Sequence, residues 1–153
     1  MKTRTIEITV RTFRTDELSG EEKQWMDVAV AAAGQAYAPY SGFRVGAVVA
    51  LADGTLVTGN NQENAAYPSG LCAERVALFG AAARYPEARV KALVLVAVRE
   101  GRIVPSIALC GACRQVLLET ERRQRHPVRV LLCGCEEVRC VDSADALLPL
   151  SFE

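Results

Sequence analysis

Histidine is almost missing from this chain: there is one in 153 residues, His126. It lies in RRQRHP, which reads as a solvated helix end. A Ser-His-Asp triad or a histidine-held metal therefore has nothing to build on. Net charge is missing as well. The 18 basic side chains balance 18 acidic ones, whereas a protein that grips a phosphate backbone carries an excess of Lys and Arg. That balance speaks against a nucleic-acid polymer as substrate. No run of about 18 apolar residues is available to span a membrane. The opening stretch MKTRTIEITVRTFRTDELSG has charges throughout, where a signal peptide needs an apolar core. Internal repeats, low-complexity tracts and dividing linkers are also lacking. The expectation is a single soluble, cytoplasmic domain of ordinary size.

Enough is present to build such a domain. Half of the residues are hydrophobic and 24% are charged, the usual mixture for a globular protein with its own core. Residues 4–11 alternate, with Ile6, Ile8 and Val10 against Glu7, Thr9 and Arg11, which predicts a strand or extended arm over the first 18 residues. Residues 19–153 read as one further unit. Ser19 followed by Glu22 is a capping box and opens a helix over about 20–36. Strands are expected over 43–51 and 55–60, joined by the hairpin signal Asp53-Gly54. A helix follows over 71–85, then the apolar run KALVLVAV at 91–98, which suits a strand buried on both faces. A helix over 111–124, strands at 128–133 and 137–141 and a short helix near 143–148 close the chain. This order implies an α/β fold in three layers, α/β/α, around a mixed sheet of about five strands.

The chemistry is carried by cysteine. There are six: Cys72, Cys110, Cys113, Cys133, Cys135 and Cys140. In a reducing compartment clustered cysteines suggest metal or catalysis rather than disulfides. Cys110 and Cys113, in CGAC, share a helix face. Cys72, in CAE, opens the other helix, where the unpaired N–H groups and the helix dipole favour a thiolate. Three such ligands suit Zn²⁺ and leave a fourth position open, as in catalytic zinc sites. Glu74 lies beside the metal without having to ligate it, and a carboxylate there can move protons. Three thiolates overcompensate a divalent ion. Arg75 and Arg114 each follow a ligand segment, and Arg75 is expected to donate hydrogen bonds to a ligand sulfur.

Four segments in order resemble the small homotetrameric cytidine deaminases: APYSGFRVGAVV (38–49), GNNQENAAYPSGLCAERVALF (59–79), CGACRQVL (110–117) and LLPLSF (147–152). The resemblance runs from about residue 20 to the end. It implies a cytidine deaminase-like fold and hydrolytic, zinc-dependent deamination of cytidine and deoxycytidine, with Glu74 as proton carrier and a role in pyrimidine salvage. It also implies substrate contacts. Asn61 and Glu63 would hold the ribose 3′-hydroxyl, Phe43 would line the pyrimidine pocket, and backbone at Ala73 would meet the base carbonyl. Ala65, Tyr67 and Phe152 would reach a neighbouring subunit's site. The expected assembly is a homotetramer with shared active sites, acting on a small-molecule nucleoside and on neither nucleic acid nor membrane. One departure falls in the metal motif: Leu109 stands where the family has Pro, whose ring would fix the turn. Cys133, Cys135 and Cys140 have no counterpart role.

Other readings stay open at the level of sequence. Cys110, Cys113, Cys133 and Cys135 could form a closed structural zinc site. A blasticidin S-type or nucleic-acid cytosine deaminase shares the metal motif, and so does a non-catalytic, zinc-stabilised interaction module.

Overall fold

The structure is a computed structural model describing residues 1–152. Its first helix begins where the capping box predicts. The Ser19 hydroxyl accepts from the Glu22 N–H at 3.3 Å, and the Glu22 carboxylate accepts from the Ser19 N–H at 2.9 Å. These bonds satisfy two donors that a helix start leaves unpaired. Helix α1 then spans Gly20–Gly34 and buries Trp25, Met26, Ala29, Ala32 and Ala33.

Strands β2 (Arg44–Leu51) and β3 (Leu56–Asn60) form the hairpin around Asp53-Gly54. Gly54 takes φ +90° there, a left-handed backbone that favours glycine. Helix α2 (Ala73–Arg84) leads to β4 (Val90–Arg99), the two-residue β5 (Arg102–Ile103) and helix α3 (Gly111–Gln124). Strands β6 (Arg129–Cys133) and β7 (Glu137–Val141) follow, then a 3-10 turn at Ala144–Leu147. With β1 (Arg11–Arg14), the sheet order is β1-β7-β6-β4-β2-β3, and β5 pairs with β4. Only β4 and β6 are parallel.

Seven strands stand where about five were expected. The five strands expected from residue 43 onward form the sheet's middle and far edge, and the short β5 is an addition. The strand expected over 4–11 forms instead at 11–14. Pairing with β7 runs from Arg11 opposite Cys140 to Arg14 opposite Glu137. The five-residue β7 leaves little room for the preceding residues to pair, so Ile6, Ile8 and Val10 stay 43–50% exposed despite their alternation.

The long apolar strands divide their side chains between two layers. Ala92, Val94 and Val96 of β4, with Val48, Ala50, Leu131 and Cys133, meet Trp25, Met26 and Ala29 of α1. Leu93, Leu95 and Ala97, with Ala47, Val49 and Val130, meet Ala77 and Leu78 of α2 and Leu117 and Leu118 of α3. The sheet thus separates α1 from the α2–α3 pair, which gives the three layers. Gly59 decides how closely α2 approaches. A Cβ there would lie 2.4 Å from the Ala73 carbonyl oxygen and 2.5 Å from the Ala77 nitrogen. Only glycine lets the first turn of α2 rest on β3, and that turn carries the residues of the site.

Candidate active site

Two helix starts converge. Cys72 is the N-cap residue of α2 and Cys110 that of α3, both in extended backbone, with Cys113 in the first turn of α3. Neither cap thiol accepts a capping hydrogen bond from the backbone of its own helix. Instead Cys72 Sγ lies 3.9 Å from Cys110 Sγ, and Cys110 Sγ lies 3.4 Å from Cys113 Sγ. All three sulfurs fall within 4.8 Å of one another. A tetrahedral zinc with Zn–S bonds of about 2.3 Å requires sulfurs about 3.8 Å apart. The donor set fits that ion in both chemistry and spacing.

Electrostatics distinguish Cys72 from Cys113. The Cys72 thiol is lowered to about 5. A hydrogen bond from the Cys113 thiol is the largest cause, and bonds from Arg75 and Cys110 add to it against the cost of burial. Cys113 is pushed up, first by the same bond and then by burial and the charge of Glu74. Arg75 Nη2 lies 3.9 Å from Cys72 Sγ, and its Nε is buried with no hydrogen-bond partner among the described residues. Glu74 is 4% exposed. Burial raises its pKa, and the Cys72 charge raises it further against the helix N–H groups.

An open cleft of about 510 Å³ adjoins the thiols. Its lining includes Asn61, Glu63, Tyr67, Cys72 and Arg75. Asn61 clamps the start of β2: its Nδ2 donates to the Phe43 carbonyl at 2.9 Å, and its Oδ1 accepts from the Val45 N–H at 2.8 Å. One donor and one acceptor position of the amide remain. Glu63 accepts from the Tyr40 N–H at 2.9 Å, the Ser41 N–H at 3.3 Å and the Ser41 hydroxyl. These bonds hold its carboxyl below the usual range. Phe43 is half-buried against the core, and Ala73 is fully buried at the first position of α2. Ala65 is exposed, and Tyr67 and Phe152 are 89% and 84% exposed. Phe152 is tied back to α3, its carbonyl accepting from Gln115 Nε2 at 3.2 Å.

One contributor lies beyond the sequence reading. The Ser41 hydroxyl bonds Glu63 and also accepts from the Phe43 N–H at 3.0 Å. The serine turn in PYSGF was the available signal. Arg114 is spent on the carbonyls of Leu109 and Leu147 at 2.8 and 3.0 Å; between the two arginines, Arg75 is the one hydrogen-bonded to a ligand sulfur. The four-cysteine alternative does not assemble. Cys133 packs on the α1 side of the sheet and Cys113 on the other, and among the described residues only Cys72, Cys110 and Cys113 gather as a possible metal site.

A Cys-x-Glu at one helix start, set against a Cys-x-x-Cys at another, is how the zinc deaminases of nucleobases are built, and fold and site together define that class. The family model for the cytidine and deoxycytidylate deaminase zinc-binding region matches residues 19–127. The chain belongs to this family. A cytidine deaminase of Sporosarcina psychrophila is 49% identical over 85 residues, 56% of this chain and 59% of that protein. One of Halalkalibacterium halodurans is 46% identical over 93 residues, 60% of this chain and 65% of that one. The aligned stretches thus span less than two thirds of either relative. The crystal structure of cytidine deaminase from Burkholderia pseudomallei is similar with a TM-score of 0.72 at 40% identity, covering 85% of this chain and 98% of that one. The α/β fold is that of the cytidine deaminases.

Proposed function

We propose that the protein is a zinc-dependent hydrolase that removes the 4-amino group of cytidine and deoxycytidine, releasing ammonia with uridine or deoxyuridine. The observation that carries this is the meeting of three thiols at two helix starts with a buried carboxyl, Glu74, two residues after the first thiol. Cys72, Cys110 and Cys113 would hold the ion. When bound, zinc supplies Lewis-acid chemistry that makes water a nucleophile near neutral pH. Glu74 takes one proton from the attacking water and passes it to N3 of the pyrimidine, then takes the second from the added hydroxyl and passes it to the amine, which leaves as ammonia. Its raised pKa suits a group that must accept and return a proton. Arg75 stabilises the charge on Cys72.

The nucleoside is assigned to the cleft. Glu63 accepts three hydrogen bonds and keeps an acceptor position for a ribose hydroxyl, and Asn61 keeps a donor and an acceptor. Ala73 contributes its amide, one of those a helix start leaves unpartnered within the helix. Phe43 flanks the base. Ala65, Tyr67 and Phe152 complete a neighbour's site in a homotetramer; the exposure of Tyr67 and Phe152 supports that role. We place the enzyme in the cytoplasm, in pyrimidine salvage, with no nucleic-acid partner. Ammonia release from cytidine, deoxycytidine, dCMP, blasticidin S and a cytosine-containing oligonucleotide tests this directly. Turnover confined to the two nucleosides is expected. Turnover of the oligonucleotide or of blasticidin S alone would replace the nucleoside reading, and none with any substrate would favour a zinc-stabilised interaction module.

A further inference from the structure

Arg114 follows Cys113 on α3, and its guanidinium bridges two separate parts of the chain. Nε donates to the Leu109 carbonyl at 2.8 Å and Nη1 donates to the Leu147 carbonyl at 3.0 Å. Leu109 is the residue before Cys110, and its carbonyl belongs to the same peptide plane as the Cys110 nitrogen. Holding that oxygen fixes the plane and the direction from which Cys110 Sγ approaches the other sulfurs. Leu109 has no ring to set φ, so the restraint comes from outside the turn. Leu147 ends the 3-10 turn from which the C-terminal tail departs. Along α3, Gln115 and Arg122 hold that tail at Phe152 and Ser151. A guanidinium offers its donors in a rigid planar fork, so a single side chain sets the spacing of both carbonyls.

We propose that Arg114 is a positioning residue that locks the Leu109–Cys110 turn to the C-terminal tail, so that metal retention and tail order depend on one side chain. This rests on the three thiols being a zinc site. The test uses the full-length, zinc-loaded protein with two readouts, the rate of zinc release to a chelator and the rate of carboxypeptidase digestion of the C-terminal residues. In Arg114→Met both rates rise. Zinc release accelerates about 10- to 100-fold, the scale on which residues that orient metal ligands act. Gln115→Ala, which removes the hydrogen bond to the Phe152 carbonyl, speeds digestion and leaves zinc release unchanged. Arg114→Lys keeps the charge and a donor for one carbonyl at a time, and gives intermediate rates; it also serves if the methionine variant does not fold. Wild-type zinc release in a folded Arg114→Met or in Arg114→Lys, from a protein that binds zinc, overturns this proposal alone. A wild-type protein that binds no zinc overturns the functional reading and this one with it.

Discussion

A thiol at a helix N-cap is ordinarily a weak cap, and here both N-cap thiols leave their helices uncapped and turn to each other. Their value lies in the ion they can share. Replacing Cys72, Cys110 or Cys113 by Ala is expected to lower bound zinc to below one tenth of an equivalent per protomer, read by metal analysis, because two sulfurs fall short of the three protein ligands of a catalytic zinc site. Asn61 is a different case. Asn61→Ala removes the partners of the Phe43 carbonyl and the Val45 N–H, a cost of about 1–3 kcal/mol in denaturant unfolding. It should also raise KM for the nucleoside more than it lowers kcat. The residues legible from sequence were those whose roles follow from short spacings. Cys72 and Glu74 are two apart, Cys110 and Cys113 share a turn, and Arg75 follows in the same segment. The Ser41–Glu63 and Arg114–Leu147 contacts were not legible in the same way, because their partners lie 22 and 33 residues apart and are brought together by the fold.

At the scale of elements, the start of α1 was readable because Ser19 and Glu22 interact within one turn. The position of β1 was not, because it depends on where β7 lies, more than 120 residues along the chain. The capping box carries a pH dependence. Burial disfavours the charged Glu22 carboxylate, but the Ser19 N–H and hydroxyl and Arg129 overcome this and lower its pKa. A lowered pKa means its stabilisation is full above the unfolded carboxylate value of about 4.3 and fades as pH falls through and below it. Glu22→Gln keeps an acceptor for the Ser19 N–H but loses the charge that faces Arg129, and should therefore cost about 1 kcal/mol at pH 7, the difference between hydrogen bonds to a charged and to a neutral acceptor. It should narrow the gap to wild type as unfolding is measured at lower pH. Gly59 tests how α2 is seated. In Gly59→Ala the new methyl meets backbone at 2.4 and 2.5 Å, so α2 must lift from β3. Overpacking of this kind costs about 1–3 kcal/mol, and zinc occupancy should fall with stability because Cys72 and Glu74 ride on the displaced turn.

For the whole molecule, the sheet is the organising barrier. It sets Cys133 and Cys140 on the α1 side and Cys113 on the other, a separation that cysteine spacing alone did not reveal. The three-layer class was visible in the alternation of helices with apolar strands. A reach of Tyr67 and Phe152 into a neighbouring protomer is implied only by the resemblance; the fold adds their exposure. If sites are shared between subunits, mixing Glu74→Gln protomers with Phe152→Ala protomers should restore activity above either parent, since some sites regain both residues. Activity that stays at the parental average would mean each site is complete within one chain. The central claim is that Glu74 moves protons beside a metal it does not bind. Metal content and cytidine turnover of Glu74→Gln, measured on one preparation, test it most directly. Zinc at the wild-type level with turnover reduced by at least about 100-fold, the lower bound for losing a general acid–base group, is the expected result. Turnover near wild type, or loss of the zinc itself, would contradict it.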